Sequence, residues 1–124
     1  MKKIIALVLV LIMMLSFASC AKPTAKFVIS DGINDVVLYE FEAEVDGKTT
    51  AAAMLEEYLT ENKIPYTVYD GDVIASIGDL EHDEETWSVY WAFYHNGDYA
   101  TVGLWSYIPA EGDVIEIKYE KSTW

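Results

Sequence analysis

Arginine is missing from this chain of 124 residues, cysteine occurs once and histidine twice. The lone Cys20 excludes an intrachain disulfide. His82 and His95 are the only imidazoles, and neither a Gly-x-Ser-x-Gly elbow nor a His-Glu-x-x-His helix is present. Carboxylates abound, but none lies in a recognisable acid/base context, so the expectation is a protein that is not an enzyme and requires no cofactor. Cations are scarce: eight lysines face twenty-one carboxylates, a formal net charge of −13. A surface of that sign repels phosphate backbones, which excludes nucleic acid as a partner.

What the chain does have begins with a targeting pattern. Lys2 and Lys3 precede an apolar run of twelve residues, Ile4 to Leu15, too short to span a bilayer comfortably. Phe17-Ala18-Ser19-Cys20 then reads as a bacterial lipoprotein cleavage site. The expected organisation is a signal peptide over 1–19, a lipidated Cys20 with a short tether to residue 25, and one domain over 26–124. From Cys20 onward six lysines meet all twenty-one carboxylates, so the net charge is −15. Anionic headgroups repel such a domain, so the lipid on Cys20 carries the membrane attachment, at the extracytoplasmic face of the cell membrane.

The domain alternates strand and turn signals around one helix. Lys26 to Ser30 is a short strand. Val36 to Val45 alternates, with Val37, Tyr39, Phe41, Ala43 and Val45 expected on the core side. Asp46-Gly47 turns the chain. Thr49 or Thr50 caps a helix whose stripe, Ala51, Met54, Leu55, Tyr58 and Leu59, packs on a sheet, and Ile64-Pro65 ends it. Strands follow at Tyr66 to Tyr69 and Asp72 to Ile77, then an acidic loop from Gly78 to Glu85. A long strand runs from Thr86 to His95, a hairpin turns at Asn96-Gly97, and a last strand spans Val114 to Tyr119. The fold class is α+β: a β-grasp-like sheet of five to six strands with one helix packed on it.

Two features invite a ligand. The acidic loop Glu81-His82-Asp83-Glu84-Glu85 carries cation ligands but lacks the spacing and glycine of a calcium loop, so it is read as a solvated charge run with no metal site. Eight of the seventeen aromatics fall between Trp87 and Tyr107. Along residues 86–95 both the odd positions (Trp87, Trp91, Phe93) and the even ones (Tyr90, Tyr94) carry rings, more than a half-buried strand needs on one face. The surplus is either covered by another element or left as a binding patch.

Several segments, in order, resemble the transcobalamin-like C-terminal domain family, which includes the β-domain of intrinsic factor and transcobalamin and bacterial lipoproteins of unassigned function. They are the capped helix from Thr50 to Asn62, Ala75-Ser76-Ile77, Tyr90-Trp91-Ala92-Phe93, Gly103-Leu104-Trp105-Ser106-Tyr107-Ile108-Pro109 and Glu111 to Ile117. Ala92 stands where the carriers have glutamine. Trp105 and Ser106 replace an alanine and an aspartate. In the carriers this domain covers one face of a corrin ring. The resemblance therefore implies a site around Ser76, Ile77, Trp91, Phe93, Tyr99, Thr101, Val102 and Leu104, with Trp105 beside it. It also implies cobalamin or another corrinoid as the ligand, passed to a membrane transporter. The carriers bury their ligand against a helical barrel that this chain lacks. The competing reading is a surface protein–protein or structural module that uses the aromatic face and takes no small molecule.

Overall fold

The computed structural model describes residues 22–123. The signal segment and Cys20 lie outside the described residues. The elements are β1 (Thr24–Asp31), β2 (Val36–Glu44), α1 (Ala51–Glu61), β3 (Tyr66–Tyr69), β4 (Val73–Ile77), β5 (Leu80–Glu81), β6 (Val89–His95), β7 (Asp98–Tyr99) and β8 (Val114–Lys121). They form a mixed sheet of order β2-β1-β8-β6-β7 and a small sheet of order β3-β4-β5. β1 and β8, from opposite ends of the domain, run parallel at the centre, and the other pairs are antiparallel. Among the described residues the architecture is mostly β with one helix, broadly α+β.

Burial explains the central pair. Phe27 and Ile29 of β1 and Ile115 and Ile117 of β8 are shut from solvent, and they meet Leu55 and Leu59 of α1 and Ile74 and Ile77 of β4. Alternation in β1 and β8 sends one set of side chains into this core. The helix starts where Thr50 accepts a hydrogen bond on Oγ1 from the Ala53 amide at 3.2 Å. It buries Ala51, Ala52, Met54, Leu55 and Leu59. It ends in a Schellman-type closure: Lys63 takes a positive φ of 56°, and the amides of Ile64 and Lys63 donate to the carbonyls of Leu59 and Thr60.

Four expectations are corrected. The core face of β2 is shorter than its alternation implies: Phe41, Ala43 and Val45 pack against the core, whereas Val37 and Tyr39 are exposed. The strand expected over 86–95 starts at Val89, because Trp87 adopts a left-handed φ of 55° and Asp83 gathers the amides of Glu85 and Thr86 and the hydroxyls of Thr86 and Ser88 into a turn. Those bonds, the Thr86 hydroxyl's first, lower the Asp83 pKa to about 2. The acidic loop contains β5, and its His82 is buried against Tyr69 and Trp87 rather than solvated. The first strand, expected over Lys26 to Ser30, begins earlier, at Thr24.

Candidate functional site

The aromatic surplus on β6 divides by face. Trp91 and Phe93 point into the core. Tyr90 and Tyr94 lie on the opposite face with Tyr99 of β7. Tyr94 meets Tyr99 edge to face at 5.6 Å, and the Tyr90 and Tyr99 hydroxyls are 3.5 Å apart. The Tyr94 hydroxyl donates to Glu120 at 2.5 Å, which, with burial, pushes its pKa up to about 12. Burial first, then the Tyr99 hydroxyl, pushes Tyr90 up as well. The rings of this face thus pack on one another, with hydroxyls that meet each other and Glu120.

Beyond the β6–β7 turn the chain folds back as a loop over 100–113 whose course is pinned from two sides. The first helical amides, which have no intrahelical acceptor, donate into it: Ala51 to the Tyr107 carbonyl at 2.8 Å and Ala52 to the Leu104 carbonyl at 3.0 Å. Leu104 is buried as a plug beneath the loop. On the other side His95, Tyr107 and Asp113 form a cluster. His95 Nε2 lies 2.8 Å from the Tyr107 hydroxyl and 3.1 Å from Asp113 Oδ1, and the Tyr107 hydroxyl donates to Asp113 Oδ2. Burial alone would raise the Asp113 pKa. The Ala110 amide, Tyr107, His95 and Asn96 outweigh it and hold the carboxyl at about 2. Burial and the same carboxylate raise Tyr107 to about 12.

Between β6, β7 and this loop lies an open groove of about 240 Å³, lined by Phe93, His95, Asp98, Tyr99, Ala100, Thr101, Val102 and Tyr107. Four of the nine residues expected at a site, Phe93, Tyr99, Thr101 and Val102, are brought together there. Tyr99 and Val102 are 56% and 48% exposed, available to a ligand. The other five lie elsewhere. Ser76 is buried in β4, its hydroxyl 2.7 Å from that of Thr67. Ile77 and Leu104 are core. Trp91 is buried and donates from Nε1 to the Leu80 carbonyl at 3.0 Å. Trp105 is half-buried against the core. His95 and Tyr107 were not among the expected site residues. Asn96-Gly97 and Gly112-Asp113 mark the two turns that bring His95 to Asp113, but nothing in the sequence signals that those turns meet.

Residues 49–121 match the family model described as a domain of unknown function, DUF4430. The chain belongs to this family. The DUF4430 match takes in α1, both sides of the groove and β8, and leaves out β1 and β2. No curated protein matches the chain. Among solved structures, a candidate metal-binding protein from Ruminococcus gnavus ATCC 29149 is similar at 16% identity and a TM-score of 0.57, over 82% of this chain and 99% of that one. Haptocorrin in complex with Cbi is similar at 16% identity and a TM-score of 0.66, over 82% of this chain but 25% of haptocorrin. At such identity the likeness is one of fold alone, a transcobalamin-like fold. This chain corresponds to about a quarter of haptocorrin. Among the described residues no group of three or more His, Cys, Asp or Glu side chains is arranged to hold a metal ion, and no helix is long and apolar enough to cross a membrane.

Proposed function

We propose that this DUF4430 domain is a binding module, held at the extracytoplasmic face of the membrane by a lipid on Cys20, that takes a corrinoid against the groove between β6, β7 and the 100–113 loop. The observation that carries the reading is the gathering of Phe93, Tyr99, Thr101 and Val102 around one open groove. An apolar floor at Phe93 with exposed Val102 and the Thr101 hydroxyl at its rim suits a flat ligand edged with neutral amides, and needs no cation. The fold shared with haptocorrin, which was solved with Cbi, supports the ligand class. The parallel β1–β8 pair at the centre of the sheet supports reading it as β-grasp-like. His95 is engaged in fastening the loop to Asp113, which supports binding rather than catalysis.

The groove of about 240 Å³ falls below the roughly 300–1,000 Å³ of ordinary ligand pockets. A partner, a transporter in this reading, deepens a site that already binds weakly on its own. The same shallowness favours the second reading, in which the groove receives a protein side chain and no small molecule. Calorimetric titration of cobalamin into the purified chain separates the two. Heat at micromolar affinity or better, lost in Val102→Asp with the melting temperature unchanged, supports the corrinoid reading. No heat at millimolar ligand overturns it and leaves the protein-interaction reading.

A further inference from the structure

A second groove, about 430 Å³, runs between β2 and α1, on the far side of the sheet order from the site above. Its floor is apolar: Phe41 stacks on Tyr58 with ring centroids 3.9 Å apart, and Ala43, Val45 and Met54 continue it. Asp46, Glu57 and Glu61 stand around it. Along one side runs β2, nine residues long and an end strand of its sheet.

The register shows what that edge offers. The Val45 amide donates to the Pro23 carbonyl at 3.0 Å, and Ala43 and Phe41 face Ala25 and Phe27 in the same antiparallel register. In such a ladder peptide groups turn alternately toward and away from the partner strand. The odd residues bond β1, so the amides and carbonyls of Glu40, Glu42 and Glu44 turn to the open edge. Their side chains stand on the face opposite Phe41 and Ala43. A strand laid along β2 therefore gains backbone partners. One set of its side chains falls beside three glutamates, and the other falls over the Phe41–Tyr58 floor next to Glu57 and Glu61.

We propose that this edge docks an extended segment of a partner protein in which lysine or arginine alternates with apolar residues, by addition of a strand to β2. Charge selects this occupant over a second copy. An antiparallel β2–β2 pair would set the glutamates of one strand against those of the other, between chains that each carry a net charge of −15 from Cys20 onward. From β1 and its approach, Lys26 pairs with Glu40, and Lys22 lies 3.7 Å from Glu44, with Glu42 between them. A basic strand on the open side brings cations to the side of these carboxylates away from β1. The surface is separate from the corrinoid groove, and its test does not depend on that reading.

The probe is a fluorescein-labelled peptide alternating lysine and valine, followed by anisotropy against the full chain in mild detergent, with a glutamate–valine peptide as control. The lysine peptide is expected to bind at micromolar affinity and to weaken as salt is added. Glu42→Pro removes an outward amide and a charge while sparing the bonds to β1. Glu57→Lys reverses a rim charge on an exposed helix position. Each is expected to weaken binding by about tenfold or more. Should Glu42→Pro lower the melting temperature, Glu57→Lys carries the test alone. No binding, equal binding of the glutamate peptide, or affinity unchanged in Glu57→Lys overturns the proposal. So does a stable dimer by sedimentation whose amide exchange is protected along Glu40 to Glu44.

Discussion

Asp113 is nearly shut from solvent, yet four neighbours keep its carboxyl ionised, down to about pH 2. Its folded pKa lies below the ordinary 3.8, so the stabilisation it supplies is present above that value and is lost as pH falls toward 2. Asp113→Asn should therefore destabilise the domain by about 1–3 kcal/mol near neutral pH, since the Ala110 amide and His95 lose a charged acceptor. The gap to the unaltered chain should narrow as pH falls below 3.8 and close only below about 2. Urea unfolding at neutral pH and in acid checks both parts, and a gap that persists in acid would mean the carboxylate is not the cause. Residues also show where the sequence could be read. The excess of rings on residues 86–95 was visible. Which rings pointed inward was not, because both parities of the strand are apolar and only the packing of α1 and β4 against Trp91 and Phe93 decides it. Tyr99→Ala and Trp91→Ala make the distinction measurable. The first should leave stability within about 0.5 kcal/mol, and the second should cost about 3–5 kcal/mol.

Among elements, the helix was the most legible, because its cap, its apolar stripe and its stop are all local signals. Thr50→Ala should cost about 1 kcal/mol in chemical denaturation, the usual loss for one capping hydroxyl. A change well under that would mean that the Tyr107 and Leu104 carbonyls, which already receive the first helical amides, hold the helix start unaided. The Asn96-Gly97 turn was equally plain: φ is 51° and 89° at the two positions, the pattern of a type I′ hairpin. Gly97→Val should cost more than about 1 kcal/mol, since a β-branched residue resists that region. β2 was legible only in part. Alternation assigns its two faces, but how far the helix reaches along it is a tertiary matter, and the helix covers Phe41 and Ala43 and leaves Val36 and Val37 bare. The 100–113 loop was the least legible. Its form depends on helix amides, a buried leucine and a His–Tyr–Asp cluster brought from three places in the chain.

The whole molecule carries its charge unevenly answered. From Cys20 onward twenty-one carboxylates face six lysines, and of the ion pairs on the described surface Lys22–Glu44 is loose, at 3.7 Å with both side chains largely exposed. Exposed pairs of that kind contribute about 0–1 kcal/mol each, whereas the repulsion among surplus carboxylates acts over the whole surface and disfavours the compact state. Repulsion should win, and salt tests it directly. Between about 0.02 M and 0.5 M sodium chloride the screening length contracts severalfold, to a few ångströms. The melting temperature should rise with it, by about 4–8 °C for each kcal/mol of repulsion removed in a domain of this size. The comparison belongs near neutral pH, where the carboxylates are ionised, and the rise should shrink near pH 4 as they take up protons. A melting temperature that falls with salt would instead place the balance with the few ion pairs, and would make Lys26–Glu40, the pair joining β1 to the sheet edge, the first to remove.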